Sequence, residues 1–207
     1  MAGGIELMII TAEHTVKKMR LSGLHLFGIQ VALCLTISIL SLPPLAQAEQ
    51  FKSTGTVDVY FSPQGGTTTA VVNELDNAKQ EILVQAYSFT SAPLAKALLN
   101  AHKRGVHVEV VLDRSQRSQK YSSADFMAHA GIPTYIDSAH AIAHNKIMII
   151  DRSTLITGSY NFTKAAEENN AENLLIIKGN KPLVDRYIRN LYGHKQHSDE
   201  YMGLSGR

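Results

Sequence analysis

His144 and Lys146, with Asp151, Ser159 and Asn161 after them, are the residues whose types and spacing could do chemistry in this chain. Side chains alternate along a strand, so the imidazole at 144 and the ammonium at 146 share one side of the segment that begins there. The run Ile147-Met148-Ile149-Ile150 reads as a buried strand closed by the polar turn Asp151-Arg152-Ser153. A returning strand over Leu155-Ile156-Thr157, with a turn at Gly158, would let Ser159 and Asn161 face the same point. A single histidine is usually a surface or satisfied core residue, and a lysine beside it is usually solvated. In combination they offer a nucleophile or general base, a positive charge and two hydrogen-bonding side chains. That set suits attack on a centre whose oxygens are anionic.

The string H-x-K-x4-D followed by G-S-x-N resembles the motif of the phospholipase D superfamily, filled here by His144, Lys146, Asp151, Gly158, Ser159 and Asn161. Downstream, Asn170-Ala171-Glu172-Asn173 and the apolar run Leu174 to Ile177 resemble the acidic strand of that superfamily. H-x-K-x4-D occurs once. In this the chain is similar to the small single-motif bacterial endonucleases of the superfamily, the Nuc type. The similarity covers nearly the whole region after residue 48, including Val84-Gln85-Ala86-Tyr87-Ser88-Phe89-Thr90.

The resemblance implies a homodimer whose two-fold axis sets two identical motifs face to face as one composite site. It implies phosphodiester hydrolysis with no metal and no other cofactor. One His144 attacks phosphorus to give a phosphohistidine, and its twin protonates the leaving alkoxide and then activates water. Lys146, Ser159 and Asn161 would hold the phosphoryl oxygens, and Glu172 would accept the other ring N–H of His144. Asp151 stays open between direct catalysis and a structural partnership with a cation or a backbone amide. The substrate implied is nucleic acid, DNA first and RNA second, cut without base readout. The alternative is a lipid phosphodiester handled by the same residues, against which the lack of a long apolar insertion and of any Trp counts mildly. A third reading, a nucleic-acid binder without catalysis, would not need His144, Lys146 and Glu172 together.

Strand and helix patterns alternate around the motif. Strands are expected over 56–61, 81–87, 106–112 and 132–136, before the motif strands and a last strand over 172–178. Helices are expected from the apolar stripe Val71, Val72, Leu75 and Ala78, from Ser91 and Pro93 to Gly105, over 122–130, and over 181–192. This order predicts an α/β fold with a mixed, largely parallel sheet flanked by helices, in a single domain over residues 49–207. The catalytic mouth should lie at strand ends.

Beyond the motif, Arg114, Arg117 and Lys120 form the densest polar-basic segment and follow a strand end. They are either a contact to a nucleic-acid backbone or a solvated loop. His102, His107, His129, His194 and His197 form no visible ligand constellation and read as surface residues. His140 and His144 could share a metal only if a helix joined them. Glu167 and Glu168 read as a solvated turn face.

The N-terminus has the parts of a secretory signal over 1–48: Lys17, Lys18 and Arg20, the largely apolar stretch Leu21 to Leu42, and the small-residue site Ala46-Gln47-Ala48. The competing reading is a retained anchor, since the stretch approaches the ~20 residues that span a bilayer. Cleavage before Glu49 would deliver a periplasmic or secreted enzyme with no stable membrane association. It would remove Cys34, the only cysteine, and leave a formal charge of +1 instead of +2. So small a charge neither demands nor forbids a polyanionic partner, and any nucleic-acid site must rest on local patches.

Overall fold

Apolar residues at every second position build one sheet with a core on each face. The computed structural model describes residues 48–119 and 122–204. The expected signal segment, Cys34 and Lys120 lie outside the described residues. The strands are β1 (Thr56–Ser62), β2 (Glu81–Ala86), β3 (His107–Asp113), β4 (Thr134–Asp137), β5 (Lys146–Ile150), β6 (Thr154–Gly158), β7 (Glu172–Lys178) and the short β8 (Asp199–Glu200). Between them lie α1 (Thr67–Asn77), α2 (Ala92–Lys103), α3 (Ala124–His129), α4 (Lys164–Glu168) and α5 (Lys181–Gln196). The strands form one sheet in the order β1-β7-β6-β5-β2-β3-β4-β8.

Alternation decides which core each residue enters. Ile82 and Val84 of β2 pack on one face with Val71 and Leu75 of α1, Leu94 and Leu98 of α2, and Met127 of α3. Leu83, between them in sequence, points to the other face and meets Val184, Ile188 and Leu191 of α5. The three α5 residues fall three and four apart, the spacing of one helix stripe.

The sheet is mixed, but it is mostly antiparallel, and this corrects the expectation of a largely parallel one. Among the described strands only the β2–β3 and β3–β4 pairs run parallel. Those pairs are joined through α2 and α3, the helical crossovers that parallel neighbours require. β5 lies on the other side of β2 and runs against it, then turns back through Asp151-Arg152-Ser153 into an antiparallel hairpin with β6. Asp151 and Arg152 adopt φ of 49° and 53° to make that turn.

Helix α5 packs against β3, β4 and β5, and among the described residues the β1 end of its face is left bare. Tyr60 points into the opposite core, so Val57, Val59 and Phe61 point to this bare side. Val57 and Val59 are each 51% exposed, and Phe61 is 66% exposed.

Candidate active site at one rim of the sheet

Mixed strand directions bring the start of one strand level with the end of the next. Ala86, the last residue of β2, is paired with Lys146, the first of β5. Gly158, the last of β6, is paired with Leu174 near the start of β7. The segments just beyond these strand ends therefore gather at one rim. A cleft of about 360 Å³ opens there, lined by His144, Lys146, Gly158, Ser159, Asn161 and Glu172.

Lys146 is only 7% exposed, which is unusual for a lysine. Its Nζ donates to Nδ1 of His144 at 2.9 Å and to the His144 carbonyl at 3.1 Å, with Nε2 at 3.3 Å. An ammonium has only donors, so the imidazole nitrogen facing it presents a lone pair. Burial pushes the Lys146 ammonium below its ordinary value, and the charge of Glu172 works against that shift. Ser159 Oγ accepts from the backbone N–H of Asn173 at 3.1 Å and from its Nδ2 at 3.2 Å. Both lone pairs are thus engaged, leaving the O–H to donate outward. Asn161 Oδ1 is buried without a hydrogen-bond partner among the described residues.

Glu172 lines the cleft but takes its hydrogen bond from Asn170 Nδ2 at 3.2 Å. Within the single chain, the ring nitrogens of His144 face Lys146, and no bond from His144 to Glu172 is formed among the described residues. Gly158 meets a strict steric demand. Its φ is 147°, and a Cβ there would collide with the carbonyl oxygen of Asn173. The missing side chain lets the backbone at 158 lie against Asn173, to which Ser159 Oγ is bonded.

Asp151 is not brought to the cleft. It lies at the other end of β5, seven residues from His144, or about 23 Å at the ~3.3 Å rise of a strand. Its carboxylate accepts the backbone N–H groups of Lys79, Gln80 and Glu81 at 2.9, 2.7 and 3.0 Å. Burial pushes this carboxyl up, but the three amides and the Lys79 charge outweigh it and hold the group below its ordinary value. Of the alternatives open for Asp151, these contacts are the structural one.

The basic segment divides. Arg114 is exposed at the end of β3. Arg117 turns away, its Nη2 lying 3.4 Å from Asp199 and its guanidinium 5.6 Å from the Tyr201 ring centre. Glu167 is not a solvated turn residue: its carboxylate accepts from the Thr68 N–H at 2.7 Å, at the start of α1, and from the Tyr160 hydroxyl at 3.1 Å.

Two positioning residues had no role assigned from sequence. The Tyr87 ring lies 4.5 Å from the His144 ring and 5.2 Å from Lys146 Nζ, and its N–H donates to the Asn145 carbonyl. Asp113, 2% exposed, accepts the Ala143 N–H at 2.7 Å and the Ser115 N–H at 2.9 Å, so it fixes the connector just before His144. Each follows from a place at a strand end on this rim, information that requires the order of strands.

Residues 71–194 match the family model described as cardiolipin synthase, PLD-like domain. The phospholipase D of Rickettsia felis is 43% identical over 139 residues, covering 67% of this chain and 69% of that protein. The human mitochondrial cardiolipin hydrolase is 37% identical over 103 residues, half of this chain and 39% of that one. The crystal structure of Nuc, a phospholipase D family member from Salmonella typhimurium, superposes with a TM-score of 0.68 at 37% identity. It covers 70% of this chain and 97% of that structure.

Proposed function

This chain belongs to the phospholipase D superfamily of phosphodiesterases, and from that premise we propose that it is an endonuclease without sequence preference, acting on DNA and on RNA. The observation behind this reading is the cleft itself. His144, Lys146, Ser159, Asn161 and Glu172 line one open polar depression at the sheet rim, and Arg114 stands exposed two strands away. In the proposed reaction a His144 nitrogen forms a bond to phosphorus as the bond to the leaving oxygen breaks, and the His144 of a second copy gives that oxygen its proton. Water, deprotonated by the second histidine, then displaces the first. Lys146 and the Ser159 hydroxyl stabilise the charge on the phosphoryl oxygens, and no step uses a metal.

Homodimerisation is part of the proposal. The bare stripe Val57, Val59 and Phe61 supports it, because Phe61 pairs with Asn173 and Ser62 with Glu172, so the apolar strip runs up to the cleft. Two copies meeting on that strip would set one cleft beside the other. In the same proposal the segment 1–48 directs export and is removed. N-terminal sequencing of the exported protein would then begin at Glu49.

A phosphodiester in a lipid is the second reading. It is favoured by the apolar groove between α2 and α3, lined by Ala92, Ala95, Leu99 and Phe126. The deciding experiment is cleavage of plasmid DNA by the purified full chain in excess EDTA, with His144→Ala alongside. Cleavage by the unaltered chain alone supports the nuclease reading. Hydrolysis of phospholipid vesicles but not of DNA would replace it with the lipid reading.

A further inference from the structure

Three strands across the sheet from the cleft, four side chains converge on a point that the phosphodiesterase chemistry does not use. Asp137, the last residue of β4, is completely buried. Its Oδ2 lies 3.0 Å from His140 Nδ1, 2.9 Å from His194 Nδ1 and 3.7 Å from His197 Nε2. The three imidazole rings stand in a triangle with centres 4.8, 5.0 and 5.5 Å apart. One donor atom from each of the four residues can be chosen so that all lie within 4.8 Å of one another.

We propose that Asp137, His140, His194 and His197 form a binding site for one divalent transition-metal ion of the zinc class. Zinc prefers four ligands in a tetrahedron, with imidazole nitrogens and carboxylate oxygens at ~2.0–2.2 Å, which places neighbouring donors about 3.3–3.6 Å apart. The contacts of 2.9, 3.0 and 3.7 Å around Oδ2 bracket that edge length. The remaining gaps close by rotating His140 and His197, whose side chains are 46% and 41% exposed.

The local sequence suits the site. His194 and His197 are three apart at the last turn and cap of α5, so both project from one face of the helix end. Asp137 and His140 are likewise three apart across the turn after β4. The other oxygen of Asp137 accepts the backbone N–H groups of Ala139 and His140 at 3.1 and 3.3 Å, which holds the carboxylate in place. Three imidazoles and one carboxylate are a poor cage for calcium or magnesium, which take oxygen ligands. Four protein ligands also leave no open position, the arrangement of a structural ion.

The site has a mechanical consequence. His140 lies four residues before His144, so a bound ion would fasten the connector carrying His144 to the end of α5. β4 is three strands from β5, or about 14 Å at the ~4.8 Å strand spacing, so the ion would sit apart from the cleft.

The test uses the purified, tag-free full chain, stripped with chelator and titrated with zinc chloride. Zinc retained after desalting is measured by mass spectrometry, and thermal unfolding is followed in parallel. One zinc per chain is expected, with the midpoint raised by roughly 5–10 °C at a hundredfold excess over Kd. His197→Gln, at an exposed position, and the double variant His194→Gln/His197→Gln should keep the circular dichroism of the apo chain and lose both retention and thermal shift. Failure of the unaltered chain to retain zinc would overturn the site and leave Asp137 as a hydrogen-bond partner of the imidazoles. Equal retention by the double variant would also overturn it, placing the ion elsewhere, at His144 for instance. Neither outcome bears on DNA cleavage in EDTA, because the cleft contributes none of the four ligands.

Discussion

Replacing Asp151 should cost stability and leave turnover intact, although Asp151 belongs to the same sequence motif as His144 and Lys146. Its carboxylate takes three backbone amides at 2.7 to 3.0 Å. A hydrogen bond contributes about 0.5–1.5 kcal/mol net when water can reach the freed partner, so the three together are worth about 1.5–4.5 kcal/mol. Asp151 also occupies φ 49°, which Asp and Asn tolerate and Ala does not. Asp151→Ala should therefore lower the unfolding midpoint by roughly 3–18 °C, at ~2–4 °C per kcal/mol for a domain of this size. Asp151→Asn, which keeps one acceptor oxygen and the backbone preference, should lose about half as much.

The pH dependence has a definite sign. The carboxyl is held below its ordinary value in the folded chain, so its contribution is full above the unfolded-chain value and disappears as pH falls through the folded one. The gap between the unaltered chain and Asp151→Ala should be constant near neutrality and narrow below about pH 4. The assay is thermal unfolding across pH, with phosphodiesterase turnover measured well below the variant's midpoint. Turnover reduced a hundredfold at an unchanged midpoint would refute the reasoning and return Asp151 to the chemistry.

Lys146→Met should reduce turnover by about 10²–10³-fold, as removal of an oxyanion partner does, without lowering the thermal midpoint, because the fold carries a desolvated ammonium there. A midpoint several degrees lower would show that its bonds to His144 hold the site together. Gly158→Ala should cost about 2–4 kcal/mol and most of the turnover, since the new methyl meets the Asn173 carbonyl at a φ of 147°; a variant indistinguishable by melting and kinetics would contradict that geometry. Phe61→Asp should sediment as a monomer with the circular dichroism of the unaltered chain and little activity, whereas a dimer of full activity would remove the β1 strip from the proposed interface.

What could be read from sequence was local. The strands showed because Ile147 to Ile150 and Leu174 to Ile177 are apolar runs bounded by polar residues, and the helices because Leu94, Ala97, Leu98 and Ala101 recur on one face. The cleft residues could be listed because the motif fixes His144, Lys146, Gly158, Ser159 and Asn161 within a short span, and Glu172 follows soon after. The direction of β5 relative to β2 was not legible, because the connector after β4 carries no helical pattern and is compatible with either side of the sheet. Asp151 looked like a neighbour of His144 by spacing, while an extended strand carries it to the opposite edge. Glu167 looked solvated because its partners, Thr68 and Tyr160, belong to other elements. The cluster around Asp137 was hidden for the same reason. His194 and His197 lie far along the chain from His140 and meet it only when the end of α5 returns to the β4 edge.

Strand β1 leaves the ribosome first among the strands, yet its pairing partner β7 emerges only after every other long strand. Each residue from Thr56 to Ser62 is matched to one between Lys178 and Glu172, so this edge of the sheet cannot lock until β7 has been made. Closing so long a loop makes this a late and slow event in folding. Until it happens, the core that Tyr60 joins lacks its rim and the start of β7, which carries Glu172, has no outer neighbour. A nascent chain is therefore held short of an assembled cleft by its own topology until β7 has been made.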